Sequence, residues 1–275
     1  MTCFIIAELG INHNGSLDTA KKLVDAAIWA GANAIKLQKR DISIVCAGQM
    51  DKPRESPWGK TYGEYKRAIE FGRAEYDEVD RYCKEVGIPW FASAWDIPSL
   101  DFLKPYNLPW NKVASAMATH ESFIRAVKPE KKPVFLSTGM CDISQIAWAA
   151  TELMEGGCEV TLMHTVSTYP APESDLNLAC IRTLRERFNL PVGYSGHEVS
   201  VSPSVVAVAL GAVAVERHLT LDRSMYGTDQ AASLEPHGFK SMVEQIRKIP
   251  AILGDGEKRI TAGEEEVAKK LRYWL

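Results

Sequence analysis

The feature that most constrains the fold of this chain is a series of eight short apolar runs that alternate with longer stretches of helical period. Turn residues bound each run, which is typical of buried strands, and the stretches between them have the spacing of amphipathic helices. Regular alternation of this kind predicts a parallel sheet with helices between its strands. The predicted strands are residues 4–7, 34–37, 89–92, 112–114, 133–136, 160–163, 191–194 and 212–215.

Eight strand and helix units favour a closed TIM (β/α)8 barrel. The length of 275 residues is close to the usual size of such a barrel and leaves no room for a second full domain. We therefore expect residues 1–275 to form one barrel domain. An open, doubly wound sheet is the alternative, but it would call for a glycine-rich dinucleotide loop after the first strand, and the sequence has none there.

Composition excludes several classes of partner. The 32 basic and 35 acidic residues nearly balance, which gives no electrostatic reason to expect binding to nucleic acid or to a membrane surface. The six cysteines include no CxxC pair, and the N-terminus has neither a basic segment nor a long apolar one. These features predict reduced thiols and a cytoplasmic protein.

One segment, residues 40–59, interrupts the alternation of strands and helices. It is long, charged and rich in proline, and it follows the second predicted strand. Loops of this length in a compact domain are usually functional or disordered. Because loops that follow barrel strands emerge on the catalytic face, the segment is predicted to be a lid over the barrel mouth, with a disordered insertion as the alternative.

Two histidines predict a metal site. His197 in Gly-Tyr-Ser-Gly-His-Glu and His218 in Val-Glu-Arg-His each follow a predicted strand, and these two strands are neighbours. Two imidazoles at adjacent strand ends have the geometry of a metal centre. The helical His-Glu-x-x-His motif of zinc enzymes does not occur in the sequence.

Polar residues stand at the end of every predicted strand, which in a barrel indicates the active site. A single serine or threonine there is often only a turn or cap residue. Lys36 is harder to explain in that way, because a buried lysine is unfavourable unless an anion meets it. Together with Lys112 and the hydroxyl groups it suits a phosphate. The strand-end residues, besides the two histidines, are Glu8, Lys36, Gln38, Lys39, Ser93, Asp96, Lys112, Ser115, Ser137, Thr138, His164, Ser167, Tyr169, Ser195 and Glu216.

Seven motifs in order along nearly the whole chain resemble the barrel domain of the N-acetylneuraminate (sialic acid) synthase family. Any one of them is weak evidence, but seven in register are specific. They are FIIAELGINHNGS at 4–16, KLQ at 36–38, WGKTYGEY at 58–65, LSTGM at 136–140, GYSGHE at 193–198, ERH at 216–218 and GTDQAASLE at 227–235.

This resemblance implies that the protein condenses phosphoenolpyruvate with an N-acylated hexose, typically N-acetylmannosamine, to give a nine-carbon 2-keto sugar acid and phosphate. It implies a divalent metal, usually manganese, on His197 and His218, beside which Glu8 handles the attacking water. The family's phosphoenolpyruvate contacts match Lys36, Ser93, Lys112, Ser115, Ser137, Ser167 and Ser195, and its sugar contacts match Gln38, Tyr169 and Asp229.

The chemistry of the residues agrees with this activity. A metal can act as a Lewis acid on the aldehyde oxygen, and a carboxylate such as Glu8 can orient or deprotonate water. Two imidazoles leave the remaining ligand positions to oxygen, which suits manganese but leaves zinc, cobalt and iron open.

Two departures from the family pattern bear on the substrate. Met117 stands where the family has an acidic residue that hydrogen-bonds the sugar, and the sequence ends at Leu275, before the family's C-terminal antifreeze-like domain. In the family that domain supplies an arginine across a dimer. A homodimer, a separate antifreeze-like protein as partner and a different aldehyde substrate are therefore all open. The alternatives to the synthase are a related barrel enzyme or aldolase acting on another aldehyde, and a catalytically weak phosphate-binding barrel.

Overall fold

The computed structural model describes residues 3–274. Its first half contains β1 (Phe4–Gly10), α1 (Leu17–Ala30), β2 (Ala34–Lys39), α2 (Ile42–Val45), β3 (Pro53–Ser56), β4 (Gly59–Thr61), α3 (Tyr62–Ile69), α4 (Arg73–Val86), β5 (Trp90–Ala94), α5 (Ile97–Leu103), β6 (Asn111–Val113) and α6 (Glu121–Val127). Its second half contains β7 (Val134–Ser137), α7 (Ile143–Glu155), β8 (Val160–Thr165), α8 (Cys180–Phe188), β9 (Val192–Gly196), α9 (Ser202–Ala209), β10 (Ala214–His218), α10 (Pro236–Leu253) and α11 (Ala262–Leu271).

Eight of these strands form a closed parallel barrel, as the sequence predicted. They pair in the order β1, β2, β5, β6, β7, β8, β9 and β10, and β10 pairs with β1 again. The open-sheet alternative is wrong, because the eight strands close on themselves and leave no edge strand, with β1 paired to both β2 and β10. The helices between the strands cover the outside of the barrel, and α1 shows how: its Leu23, Val24 and Ala27 are buried.

All eight predicted strands exist, but several extend two or three residues further toward their carboxyl ends. β1 reaches Gly10 rather than residue 7, and β10 reaches His218 rather than residue 215. The apolar pattern stopped early because the last residues of these strands are polar. They continue in strand geometry because the neighbouring strands satisfy their backbone hydrogen bonds.

Alternation along the strands divides the barrel interior into an apolar layer and a polar layer. At the amino end, Phe4, Phe91, Trp110 and Phe135 pack together, with the rings of Phe4 and Trp110 5.1 Å apart and those of Phe91 and Phe135 5.8 Å apart. Every second residue of a strand points inward, so the side chains that follow on the same strands also enter the barrel. The aromatic layer fills the amino end and leaves the carboxyl end for polar groups.

The segment at residues 40–59 is folded, which excludes the disordered insertion. It contains α2 and most of the antiparallel hairpin of β3 and β4. The hairpin contacts the loop after β10: Arg54 Nε donates to the Tyr226 hydroxyl at 3.1 Å, and that hydroxyl donates to the Glu55 carbonyl at 2.9 Å. Both segments follow barrel strands, so residues 40–59 lie at the carboxyl end of the barrel, where the sequence predicted a lid. No helix within residues 3–274 has the length and apolar character to cross a membrane.

Candidate active site

Parallel pairing brings the polar strand ends side by side. Glu8 is in register with Lys36 on one neighbouring strand and with His218 on the other. Around the ring, Gln38 pairs with Ser93, Ser93 with Lys112, and Glu216 with Ser195. These side chains surround a cavity of about 140 Å³ at the carboxyl end of the barrel. The cavity is lined by Glu8, Lys36, Gln38, Ser93, Trp95, Lys112, Ala114, Ser115, Ala116, Ser137, Met140, Thr165, Ser167, Tyr169, Ser195, His197, Glu216 and His218.

The structure brings together twelve of the thirteen side chains to which the sequence analysis gave a catalytic, substrate or metal role. The exception is Asp229, which is not among the cavity-lining residues in the described part of the chain. Its Oδ2 atom nevertheless lies 3.8 Å from His218 Nδ1, at the edge of the same site. Of the other strand-end residues, Glu216 lines the cavity, whereas Lys39 turns away and donates to the Glu70 carboxylate at 2.9 Å.

The floor of the cavity is a buried cluster of two lysines and two glutamates. Lys36 Nζ lies 2.7 Å from Glu8 Oε2 and 3.7 Å from Glu216 Oε1. Lys112 Nζ donates to both oxygens of Glu216 at 2.8 Å. The anion that buried Lys36 requires is therefore supplied by the protein itself. The sequence analysis placed Glu216 at a strand end but gave it no role, because pairing across the barrel interior is not visible in the order of residues.

Burial and the four charges shift the pKa values of this cluster in different directions. Burial alone would lower the pKa of Lys36, but Glu216 and Glu8 outweigh it, so its pKa is raised. Burial is the larger effect on Lys112, whose pKa is lowered. The pKa of Glu216 is lowered because the two ammonium groups outweigh its burial. Opposite charges therefore favour the charged forms of Lys36 and Glu216 in this cluster.

A chain of hydrogen bonds links Glu8 through Gln38 to Arg40, the first residue of the 40–59 segment. Gln38 Nε2 donates to Glu8 Oε1 at 2.6 Å, and Arg40 Nη2 donates to Oε1 of the same Gln38 side chain. Gly10 makes this possible, because its φ is 49° and a Cβ there would lie 3.0 Å from both Gln38 Nε2 and Glu8 Oε1. The carboxylate of Glu8 is therefore held between Lys36 and Gln38.

The serine hydroxyls form the wall of the cavity. Ser93 Oγ accepts from Lys36 at 3.4 Å, and Ser195 Oγ donates to Glu216 at 3.3 Å. Ser115 Oγ accepts from the Gly139 amide at 3.1 Å. The Ser137 and Ser167 hydroxyls line the same wall and make no such contact with another residue in the range 3–274. Hydroxyls and ammonium groups together provide directional donors for an anion with several oxygens.

The two histidines lie side by side with their ring centres 5.5 Å apart. His197 Nδ1 is 2.7 Å from the Val166 carbonyl, so this nitrogen carries the proton and Nε2 has a free lone pair. Burial, followed by the charge of His218, lowers the pKa of His197 to about 3, which keeps the ring neutral. His218 Nδ1 is buried and has no hydrogen-bond partner within residues 3–274. The Tyr169 ring packs 4.0 Å from the ring of His197.

His197 has the properties that a divalent metal ion requires, and the ring of His218 lies beside it with its Nδ1 atom unused. A neutral ring that donates its other N–H to a backbone carbonyl is the usual state of a metal-bound histidine. No group of three or more His, Cys, Asp or Glu side chains in the described residues has the arrangement of a metal site. An ion held here would therefore take two protein nitrogens and complete its shell with water or substrate oxygens.

Met117 does not line the cavity, although Ser115 and Ala116 beside it do. Its side chain is buried at 6% exposure and lines an apolar groove next to Trp95. Trp95, Met140 and Thr165 also line the cavity, although the sequence gave none of them a role in the site. Trp95 and Met140 lie in loops beyond the strands, where the alternation of strand residues does not predict which way a side chain points.

Similar proteins cover almost the whole chain. A protein of uncharacterized function from Methanocaldococcus jannaschii is 41% identical over 271 residues, which is 98% of this chain and 77% of that protein. Human N-acetylneuraminate-9-phosphate synthase is 36% identical over 273 residues, 98% of this chain and 76% of the human protein. The crystal structure of N-acetylneuraminic acid synthetase from Leptospira borgpetersenii in complex with citrate superposes with a TM-score of 0.85 at 32% identity, covering 99% of this chain and 93% of that one.

The family model described as NeuB family matches residues 23–258. That range extends from the first barrel helix through α10 and includes every predicted site residue except Glu8. The length of this match and the identity to the human relative both support the resemblance that the seven motifs indicated. The chain therefore belongs to the NeuB family of sialic-acid-type synthases.

Proposed function

We propose that this protein condenses phosphoenolpyruvate with an N-acylated hexose of the N-acetylmannosamine type, giving a nine-carbon 2-keto sugar acid and phosphate. The observation that carries the proposal is the buried Lys36, Lys112, Glu8 and Glu216 cluster directly beside the imidazoles of His197 and His218. A barrel that only held its own shape would gain more from apolar residues of similar volume at these positions.

Lys36, Lys112 and the serine wall bind phosphoenolpyruvate in this proposal. Ammonium groups that already stand in the cavity lose little entropy when an anion replaces part of their pairing with Glu216. The carboxylate and phosphate oxygens of the substrate then accept from the Ser93, Ser115, Ser137, Ser167 and Ser195 hydroxyls or from nearby backbone N–H groups. This places the enol carbon in the centre of the barrel mouth.

His197 and His218 would hold a divalent metal, with manganese as the expected ion, and such a metal would supply Lewis acidity toward the aldehyde oxygen of the sugar. Glu8 orients the water that adds to C2 after the carbon–carbon bond has formed and accepts a proton from it. Gln38 keeps this carboxylate in place and, with Tyr169 and Asp229, contacts the sugar. Lys36, 2.7 Å from Glu8, stabilises the negative charge of that base.

The apolar side chain of Met117 favours a second candidate, the same condensation with a different aldehyde. A site built to hydrogen-bond a sugar hydroxyl discriminates strongly against partners that lack it. With methionine at this position, such a hydrogen bond is not available from the side chain. This alternative predicts that the preferred acceptor lacks one of the hydroxyls of N-acetylmannosamine.

The direct test is phosphate release from phosphoenolpyruvate with a panel of acceptors, in the presence of manganese and after chelation. We expect release with at least one N-acylhexosamine and none without an acceptor. Lys36→Ala should raise the KM for phosphoenolpyruvate by about tenfold or more, because a charge-assisted contact is lost. Lys84→Ala, on the exposed surface of α4, is the control and should behave like the parent. An absence of release with every N-acylhexosamine would exclude the proposed acceptor class.

A further inference from the structure

An apolar groove adjoins the active cavity at the carboxyl end of the barrel. Trp95 and Ala116 line both the cavity and the groove, so the two spaces share a wall. The groove has a volume of about 540 Å³, compared with about 140 Å³ for the cavity. We call it the side groove, and its apolar walls include Ile44, Val45, Trp95, Ile97, Ala116 and Met117.

Three segments that follow barrel strands form the side groove. Ile44 lies on α2 in the 40–59 segment, Ile97 begins α5 after β5, and Met117 follows β6. The side chain of Met117 is buried, but Ile44 is 50% exposed and Ile97 is 37% exposed. Large apolar side chains that stay exposed around one concave surface are typical of a binding site.

The polar groups of the side groove are already engaged by the protein. Asp96 Oδ1 accepts from the Ser99 amide and Oδ2 accepts from the Asp41 amide, both at 2.7 Å. His120 Nδ1 accepts from the Phe123 amide at 3.2 Å. These contacts hold the loops and the beginnings of the helices in place. A ligand of the side groove is therefore recognised mainly by its apolar surface.

Trp95 provides an unused donor where the cavity and the side groove meet. Its Nε1 atom is shielded from solvent and has no hydrogen-bond partner among the residues that the structure describes. A shielded donor without a partner is unfavourable unless a ligand meets it. The carbonyl oxygen of an amide is an acceptor that can do so. An apolar groove beside a free N–H group thus fits an acyl chain that is attached through an amide.

The side groove opens across the barrel from the two histidines. β5 and β6 are each four strands away from β9 and β10 in the closed order. In the proposed function, the aldehyde of the acceptor lies at His197 and His218, and the acylated nitrogen is on the next carbon. The methyl group of an acetyl substituent ends close to that nitrogen. A longer acyl chain extends toward the opposite wall, where Trp95 and Met117 lie.

We propose that the side groove binds the acyl chain of the acceptor, so that the preferred substrates are hexosamines whose N-acyl chain is longer than acetyl. The inference rests on the proposed function, which places the aldehyde at the histidines. Ile97 and Met117 contact the chain, and Trp95 Nε1 donates to its carbonyl oxygen. A butanoyl group has two more methylenes than an acetyl group, and burying them strengthens binding by about tenfold.

The experiment compares N-acetylmannosamine with N-butanoylmannosamine, first by calorimetric titration of the manganese-loaded protein and then by phosphate release from phosphoenolpyruvate. We expect the butanoyl sugar to bind about tenfold more tightly. Ile97→Asp and Met117→Gln should each remove most of this preference and leave the KM for phosphoenolpyruvate unchanged. Trp95→Phe, which keeps an aromatic ring but removes the N–H donor, should weaken the binding of both sugars.

Ile28→Asp is the matched control, because Ile28 is 39% exposed on α1 and does not line the side groove. Thermal unfolding shows whether each variant has folded, and Ile97→Asp keeps the test valid if Met117→Gln does not fold. Equal binding of the two sugars, or an equal effect of Ile28→Asp and Ile97→Asp, would overturn the acyl subsite. Unchanged binding of both sugars to Trp95→Phe would overturn the contact with the carbonyl oxygen.

Two further outcomes separate this inference from the proposed function. Phosphate release with the acetyl sugar alone would overturn the acyl subsite and leave the synthase proposal standing. Tight binding of the butanoyl sugar without phosphate release from either sugar would contradict the synthase and retain the subsite. Sedimentation of the parent and of Ile97→Asp tests a second copy of the chain as the occupant. A change from dimer to monomer without a change in sugar preference would overturn the acyl subsite.

Discussion

At the scale of the residue, the site depends on side chains whose ordinary behaviour is changed by burial. His197 is neutral because burial lowers its pKa to about 3, and its Nδ1 proton is held by the Val166 carbonyl. Lys36 stays charged because Glu216 and Glu8 outweigh its burial. Each group therefore has the protonation state that its proposed role requires: an imidazole with a free lone pair and an ammonium group that meets an anion.

The residue-scale prediction concerns metal binding. His197→Ala and His218→Ala should each lower the stoichiometry or weaken the affinity for manganese by at least about tenfold, since half of the protein ligands are lost. Equilibrium dialysis followed by metal analysis measures this without any assay of activity. His237→Ala, on an exposed part of α10, is the control. Metal binding equal to the parent in both variants would remove the basis for a metal at this site.

At the scale of the element, a second buried ion pair joins β9 and its following loop to β10. Arg217 and Glu198 both have 0% side-chain exposure, and their charged groups are 2.7 Å apart. Tyr194 donates to the same carboxylate at 2.6 Å, and Arg217 donates to the Ser204 hydroxyl at 2.9 Å. Arg217 precedes His218 and Glu198 follows His197 in the sequence. The pair thus fixes the backbone that carries both imidazoles.

Arg217→Met should lower the free energy of unfolding by about 3–5 kcal/mol, because it leaves Glu198 charged and buried without its partner. The double variant with Glu198→Gln should recover a large part of this loss. Urea unfolding followed by circular dichroism measures both values. The surface pairs of Arg81 on α4 serve for comparison, and Arg81→Met should change stability little. If the double variant loses as much free energy of unfolding as Arg217→Met alone, packing rather than charge pairing is the source of the stabilisation by Arg217.

At the scale of the whole molecule, several histidines are buried in the neutral form. Burial is the largest cause that lowers the pKa of His13 and His197 to about 3 and lowers that of His164 as well. His13 stacks 3.8 Å from Phe71, and His164 Nε2 lies 2.7 Å from the Leu176 carbonyl. The three rings follow three different barrel strands, so their protonation affects the stability of the whole barrel.

Acidification should therefore destabilise the metal-free protein well above the pH at which carboxylates titrate. The unfolded chain binds protons at these histidines below about pH 6.5, whereas folded His13 and His197 remain neutral down to about pH 3. Stability is thus full above pH 6.5 and falls as pH decreases, by up to about 1.4 kcal/mol per pH unit for each ring. Urea unfolding at pH 7, 6 and 5 with a chelator tests this. Constant stability over that range would contradict it.

The sequence by itself determined the barrel, the face on which the site lies and most of the residues that line it. It could do so because apolar runs, strand alternation and strand-end polar residues are local patterns, and because the carboxyl ends of parallel strands meet at one face. Glu8, Lys36 and His218 were identified from such positions alone. The family motifs added Asp229, and the resemblance gave Ser167 and Tyr169 their substrate roles.

Only the tertiary structure decided how these groups are paired. Glu216 and Lys112 are 104 residues apart in the chain yet in contact across the barrel, and Arg217 meets Glu198 from a neighbouring strand. The charge balance of the floor and the inward or outward direction of loop residues such as Trp95 and Met117 follow from these contacts. Barrel closure creates them because it brings distant strands together around one axis, and no local pattern records which side chains then touch.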